Sequence, residues 1–521
     1  MDVIYMLSKI RQFIPLGICV LIVAVANVLF SPVHVMFQRL IIFVLLMLSL
    51  GLIKNRSLRL FVALLPVLMV AWDITLTFYA RGTFGSAFSY GFAMSVLDSD
   101  TQEISAMLWL YQKYCFGFLA LVILLLRSVV TIPTFSGKWL AKSPLYLLIL
   151  LILSNIVQAT AHNIKKNSQG SITARVINYL PISNVKYFLQ AWSDQLLIKQ
   201  IASQIPDYSL QTQETGIDTY VLVIGESARS ENMSIYGYPQ PTTPQLEAER
   251  NHLLLWNHAI SGAPITITAV PLAITADTVK DHNIQHYSDN IINLANQAGF
   301  DTSWFSKQGM LGDYNNAITG IAMNAAHKHW VNDGFDDALL PDLRKALNHQ
   351  GKQLIVLHIY GSHEPECTRF PASDAPFTQQ GDGIDACYDN SIHFTDKLLG
   401  NIFSLLKDRR ASVAYFSDHA LEREPTQNVV YHHGGVKPSQ HAFEVPMFIW
   451  YSPLVNNPDT GTVEDIYSTV NNDKILRSWM GISQPGDKPE ETVQHIANRL
   501  AGKAPVMDTT NQIYNWRELT H

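Results

Sequence analysis

Five apolar runs crowded into the first 160 residues constrain this chain more than any other feature of its sequence. They lie near 13–30, 40–53, 60–79, 108–126 and 145–159. A helix that crosses the hydrocarbon layer needs about 20 mostly apolar residues, and its backbone must pair internally because no water is there to do so. The runs therefore read as five transmembrane helices, the second of them extended back toward Val35 to reach spanning length. No small-residue cleavage pattern follows the first run and more spans come after it, so it reads as an anchor rather than a removable signal.

Basic residues beside the spans set their direction, because Lys and Arg are retained on the cytoplasmic side. An inside N-terminus puts Lys9, Arg11, Lys54, Arg56, Arg59, Arg127, Lys138 and Lys142 inside and leaves Arg39, Arg81 and Lys113 outside. Five spans then deliver everything after about Thr160 to the outer face, the periplasm of a bacterial cell. Charge divides at the same place: residues 1–160 carry a net +6 and one histidine, residues 161–521 a net −12 and 17 histidines. An acidic exported part disfavours nucleic acid as a partner, since phosphate backbones attract basic surfaces. Cys19 and Cys115 fall in apolar runs, whereas Cys367 and Cys387 are the two exported cysteines and are expected to form a disulfide in an oxidising compartment.

Three segments follow from this: a transmembrane domain over 1–160, a connector over 161–217, and an exported domain over 218–521. Within the connector, 177–189 and 191–201 have the pattern of amphipathic helices that lie on a membrane face or pack on the exported domain. In the exported domain, short apolar runs at 220–224, 354–357, 413–416 and 445–450 alternate with longer helix-like stretches at 289–298, 337–348, 390–406 and 490–500. Runs apolar on both faces are buried strands, and their spacing predicts an α/β domain with a mainly parallel sheet flanked by helices.

Open parallel sheets place their sites beyond the carboxyl ends of the strands. The first strand ends in Gly225-Glu226-Ser227, the next leads to Gly361-Ser362-His363, and the third ends in Ser417-Asp418-His419. Alone, Glu226 could serve a helix dipole and Asp418 a helix cap. Together, three strands delivering carboxylate and imidazole to one edge point to Zn²⁺, which accepts both ligand types. A nucleophile is available in Ser261-Gly-Ala-Pro-Ile-Thr266-Ile-Thr268, where a Gly/Pro turn leads into hydroxyl-bearing residues. Spacing leaves Thr266 and Thr268 both open. Further on, Tyr431-His432-His433-Gly434 and His441 could bind a second metal, hold a phosphate or protonate a leaving group.

These residues resemble the bacterial inner-membrane phosphoethanolamine transferases of the alkaline phosphatase and sulfatase superfamily. The resemblance covers essentially the whole chain. It rests on Val223-Ile-Gly-Glu-Ser-Ala-Arg229 with Asn232, Tyr236-Gly237-Tyr238 and Thr242-Thr-Pro244, on Leu357-His-Ile-Tyr-Gly-Ser-His363, on Tyr388-Asp-Asn-Ser-Ile392 and on Phe416-Ser-Asp-His419. It implies that Glu226, Thr266, Asp418 and His419 hold one zinc ion, with Thr266 as nucleophile. His363 and His433 match positions that contact the phosphoryl group or a second zinc. Asn232 and His441 are further candidates for binding substrate. The implied reaction takes phosphoethanolamine from phosphatidylethanolamine and passes it to a glycan hydroxyl, with the protein acting as a membrane-embedded monomer.

The chain also departs from the pattern of the lipid A-modifying members. Gly262-Ala-Pro264 replaces Cys-Gly-Thr before the nucleophile, one disulfide replaces several, and Tyr431-His432-His433-Gly434 replaces Tyr-Leu-His-Gly, which makes His432 a substitute for His433. The Ser-Gly-Ala-Pro lead-in and sparse cysteines look more like the branch acting on osmoregulated periplasmic glucans; lipid A or a lipopolysaccharide core sugar is the other acceptor expected. Two alternatives remain: a phosphoglycerol transferase using phosphatidylglycerol, and a non-catalytic membrane sensor or scaffold.

Overall fold

The computed structural model describes residues 2–28, 31–99, 101–135, 139–166, 171–202, 204–309, 316–378, 384–423, 431–488 and 491–521. Most of each apolar run lies in a long helix: α1 (Asp2–Val28), α2 (Val33–Leu50), α3 (Arg56–Phe84), α4 (Gln112–Thr131) and α5 (Ser143–Lys166); residues 29–30 lie outside the described residues, 51–53 follow the end of α2, and 108–110 belong to the preceding helix Thr101–Leu110. All five are long and apolar enough to cross a membrane. Local chemistry sets the ends of α3. Asn55 caps it by accepting the Leu58 N–H at 3.1 Å, and Gly85 ends it in the left-handed region at φ 63°. Val23, Phe43, Val67, Ile74, Leu125 and Val129 close the core between the spans, while Phe61, Leu65 and Ile123 face outward as a lipid-bathed helix requires.

Contacts divide the chain into two compact units, 1–89 with 104–190 and 90–103 with 191–521. The connector expected over 161–217 therefore divides near residue 190. Of its expected amphipathic stretches, 191–201 lies in the helix Val185–Ala202, whereas 177–189 does not form one helix: residues 178–184 form turns and a bend between the helices Ile172–Ile177 and Val185–Ala202. The second unit also takes in a short helix, Tyr90–Asp98, from the segment after α3, whose Gly91 N–H donates to the Thr509 carbonyl at 2.9 Å.

The second unit is built on one nine-stranded sheet. Its strands are β1 (Thr219–Gly225), β2 (Leu253–Ile260), β3 (Asp301–Ser306), β4 (His327–Trp330), β5 (Gln353–His358), β6 (Ala411–Ser417), β7 (Glu444–Tyr451), β8 (Gly461–Val463) and β9 (Tyr467–Ser468). The spatial order is β8-β2-β7-β6-β1-β5-β3-β4, with β9 also on β2. From β6 to β4 every pairing is parallel; β7 runs antiparallel to both β6 and β2, so the sheet is mixed rather than uniformly parallel. Strand β1 lies at the centre and is wholly buried. Its alternate residues feed two cores: Tyr220, Leu222 and Ile224 pack with Trp256, Trp304 and Val356 on one face, and Val221 and Val223 with Leu357, Tyr388 and Phe403 on the other. Helices Ile291–Gln297, Leu340–Ala346, Ile384–Leu406 and Val493–Leu500 match the expected helical stretches.

Candidate active site

Glu226 lies one residue beyond β1, Asp418 and His419 directly beyond β6, and His363 in the loop after β5, so neighbouring parallel strands aim them at one edge. The turn that exposes Glu226 is tight. Ser227 takes φ 58°, its hydroxyl donates to Glu226 Oε1 at 2.6 Å, and its N–H donates to Asp418 Oδ1 at 3.2 Å. Gly361 crosses against this turn, and the Ser362 N–H donates to the Glu226 carbonyl at 3.0 Å.

Thr266 is the first residue of α6 (Thr266–Ile274), and no side chain caps that helix among the described residues. Its hydroxyl lies 3.0 Å from Glu226 Oε2 and 3.2 Å from His419 Nε2. Thr268 is buried one step into the helix, with its N–H on the Ile265 carbonyl. Of the two threonines left open by spacing, Thr266 is the one brought to the carboxylates.

His419 is fully buried, and its Nδ1 lies 2.9 Å from the Ala420 carbonyl, a bond that leaves Nε2 as the free electron pair. Nε2 stands 3.3 Å from Glu226 Oε1 and 3.4 Å from Asp418 Oδ2. Four ligands held about 2.0–2.1 Å from a tetrahedral zinc are separated by about 3.3–3.4 Å, so the cluster has the dimensions of a metal cage. The electrostatics agree. Burial raises the Asp418 pKa and the Glu226 charge raises it further, while His419 pulls it back down. Asp418 Oδ2 is buried and finds no hydrogen-bond partner among the described residues. Two carboxylates, an imidazole and a hydroxyl therefore suit Zn²⁺.

His363 and His433 flank this cluster. Their rings are 5.4 Å apart, and the His433 ring is 4.8 Å from that of His419. Burial lowers both pKa values. His433 shares a potential metal-holding group with Glu226 and His419. His432 is not part of that group; it is buried, with its Nδ1 2.9 Å from the His433 carbonyl.

Two other candidates are not brought to the cluster. Asn232 is buried, accepting from Arg229 Nε at 3.1 Å and donating to Asp389 Oδ1 at 3.1 Å. It braces the loop after Glu226 together with Tyr388, whose hydroxyl donates to the Ser227 carbonyl at 2.6 Å. His441 sits instead with Glu231, 3.0 Å away, and Glu444. Conversely, sequence reading passed over Gln308, whose amide donates to Glu226 Oε2 and to the Ile359 carbonyl, each at 3.0 Å. Gln308 follows β3, so the strand-end rule would have found it had β3 been recognised; its opening Asp301-Thr302-Ser303 hides the strand. Cys367 and Cys387 are bridged, tying the loop after His363 to the helix that carries Tyr388.

The Sulfatase family description matches residues 218–483, which include every residue of this cluster. The chain belongs to the sulfatase family. A second description, the Transferase YhbX N-terminal domain, matches residues 4–202. The chain is 44% identical over 515 residues to "Putative transferase YhbX" of Escherichia coli (strain K12), an alignment covering 96% of this chain and 93% of that one. It is 35% identical over 244 residues to Phosphoethanolamine transferase OpgE of the same strain, covering 44% of this chain and 45% of that protein. Among solved structures it resembles the integral membrane lipooligosaccharide phosphoethanolamine transferase A (EptA) of Neisseria meningitidis, with TM-score 0.64, 17% identity, and 91% and 94% of the two chains covered. It also resembles the periplasmic domain of EptC from Escherichia coli in complex with Zn, with TM-score 0.55, 22% identity, and 61% and 98% covered. This sulfatase-family chain thus joins five helices long and apolar enough to cross a membrane to a domain that shares the fold of the EptA and EptC structures.

Proposed function

We propose that this enzyme moves phosphoethanolamine from phosphatidylethanolamine onto Thr266 and then to a hydroxyl of a periplasmic glycan. The observation that carries this reading is the Thr266 hydroxyl, held between Glu226 Oε2 and His419 Nε2 at 3.0 and 3.2 Å. Glu226 accepts the hydroxyl proton as the oxygen attacks phosphorus. The bond from phosphorus to the diacylglycerol oxygen breaks, and diacylglycerol departs with a proton relayed through His363 or His433. In the second step a glycan hydroxyl loses its proton to the same imidazoles and attacks phosphorus, and Thr266 leaves as a restored hydroxyl. Glu226, Asp418, His419 and Thr266 would hold Zn²⁺, whose Lewis acidity lowers the hydroxyl pKa and offsets the phosphoryl charge. The Zn-bound EptC domain, with the same fold, supports that choice of metal. The Ser261-Gly262-Ala263-Pro264 lead-in and single exported disulfide favour an osmoregulated periplasmic glucan over lipid A or a lipopolysaccharide core as acceptor.

Peptide mass spectrometry after incubation with phosphatidylethanolamine in detergent tests the first step. A phosphoethanolamine adduct is expected on Thr266. An adduct formed only from phosphatidylglycerol would replace this reading with phosphoglycerol transfer, and a zinc-loaded protein that takes up neither would leave a scaffold.

A further inference from the structure

The membrane unit contains a polar cavity of about 120 Å³ that the catalytic chemistry does not use. Its walls come from the outer end of α1 (Asn27), the link to α2 (Ser31, Pro32), the segment after α3 (Ala87, Phe88) and connector residues Asn178 to Tyr187. With the N-terminus inside, these all lie at the outer membrane interface. Charged side chains are costly here, and those kept inside a span bundle generally face a ligand path or a partner.

Among the described residues, three charges line the cavity: Arg39, Lys186 and Asp73. Arg39 is only 8% exposed. Its Nε donates to the Asn178 carbonyl at 2.8 Å and its Nη1 to Asn27 Oδ1 and Ser31 Oγ at 2.7 and 2.9 Å. Its Nη2 makes one long contact of 3.5 Å to Asn178 Oδ1. Lys186 Nζ donates to the same Asn178 Oδ1 at 2.8 Å. Asp73 directs Oδ1 at the Asn184 N–H, 2.6 Å away. The cavity therefore holds one more cation than anion. An ammonium has three N–H donors and a guanidinium five, so Lys186 and Arg39 Nη2 retain capacity for an acceptor.

A ligand that completes this arrangement carries negative charge and acceptor oxygens and is present at the outer interface. From this geometry we infer that the Arg39–Lys186 cavity binds the phosphodiester of a phospholipid headgroup. The site lies wholly in the membrane unit, so it does not depend on the proposed transfer reaction. Basic pockets among spans at a membrane face recognise headgroups through this chemistry. Bound lipid would give the enzyme a headgroup-reading site beside its anchor.

The test uses the full chain in detergent, stripped of lipid, with Glu226→Gln to silence the catalytic centre. Short-chain phosphatidylethanolamine, the matching diacylglycerol and inorganic phosphate are each titrated against thermal unfolding and against retention on a sizing column. The phospholipid should bind and raise the melting midpoint, diacylglycerol should do neither, and Lys186→Gln or Arg39→Gln should weaken phospholipid binding about tenfold or more. Lys186→Gln removes one hydrogen bond and keeps the test valid if Arg39→Gln does not fold. Undiminished phospholipid binding by folded Lys186→Gln overturns the inference. Inorganic phosphate binding as tightly as the phospholipid overturns the lipid assignment, and diacylglycerol binding equally well overturns the anion assignment.

Discussion

Gly361 and Glu226 pack backbone against backbone: a Cβ at Gly361 would stand 2.6 Å from the Glu226 carbonyl oxygen and 3.1 Å from its nitrogen. Gly361 also takes φ 51°, where a side chain is strained regardless of space. Gly361→Ala therefore has no relaxed solution and should push the Glu226 turn out of place. We expect a loss of about 1–3 kcal/mol of stability and a larger fall in turnover, read by thermal melts beside donor-cleavage assays. Near-native values for both would contradict the close approach.

The two threonines at the start of α6 differ in what they face. Thr266→Ala should lower transfer at least about a thousandfold by removing the attacking oxygen. Thr268→Ala should keep most activity and lose stability instead, because that side chain is buried in the helix. Rate measurements on both variants decide, and equal losses would count against the assigned roles.

Removing metal should act on stability as well as on rate, since an ion bound only by the folded chain stabilises it by mass action. A strong chelator is expected to abolish transfer and lower the melting midpoint, with both restored by Zn²⁺. His419→Ala should lose the ion in metal analysis, whereas His432→Ala should retain it. A His432→Ala protein that comes out metal-free would move the site.

His358 gives the protein an acid-sensitive element. Burial holds its pKa down to about 4, against about 6.5 for an ordinary histidine. The unfolded chain therefore takes up a proton that the folded chain refuses. The contribution is intact above about pH 6.5 and is lost as pH falls toward 4. Compared with His358→Gln, the wild type should lose extra stability between pH 7.5 and 5. Parallel unfolding curves for the two proteins across that range would refute the assignment.

Opening the Cys367–Cys387 bridge frees a loop with a sequence separation of 20. Replacing both cysteines by serine should cost about 3 kcal/mol by the loop-entropy argument. Because the bridged segment leads into the helix carrying Tyr388, which holds the Ser227 carbonyl, activity should fall as well. Denaturation with and without reductant measures the first effect, and transfer assays the second.

Much of the architecture was legible beforehand because it depends on local pattern. Most of each apolar run fell in a long helix, and β1, β5, β6 and β7 appeared where continuous apolar stretches predicted buried strands. Strands β3 and β4 escaped notice for physical reasons: β3 opens on three polar residues, and β4 is a four-residue, largely exposed edge strand. The antiparallel direction of β7 was equally hidden, since an apolar run reads the same in either direction. Motif residues such as Asn232 and Tyr388 were recognisable, yet their part in bracing the Glu226 turn was not.

The sequence alone determined the membrane spans, their direction, the strand ends that bear Glu226, His363, Asp418 and His419, and the pairing of the two exported cysteines. Each of these follows from periodicity, charge or count, which are local or compositional properties. Only the tertiary structure decided which threonine meets the carboxylates, which of His432 and His433 groups with Glu226 and His419, that His441 sits with Glu231 and Glu444, and that Gln308 reaches Glu226. The distances of a few ångströms that join Thr266 to Glu226, Gln308 to Glu226 and His441 to Glu231 link residues 40, 82 and 210 positions apart in the chain, and such distances arise only when the strands are laid side by side.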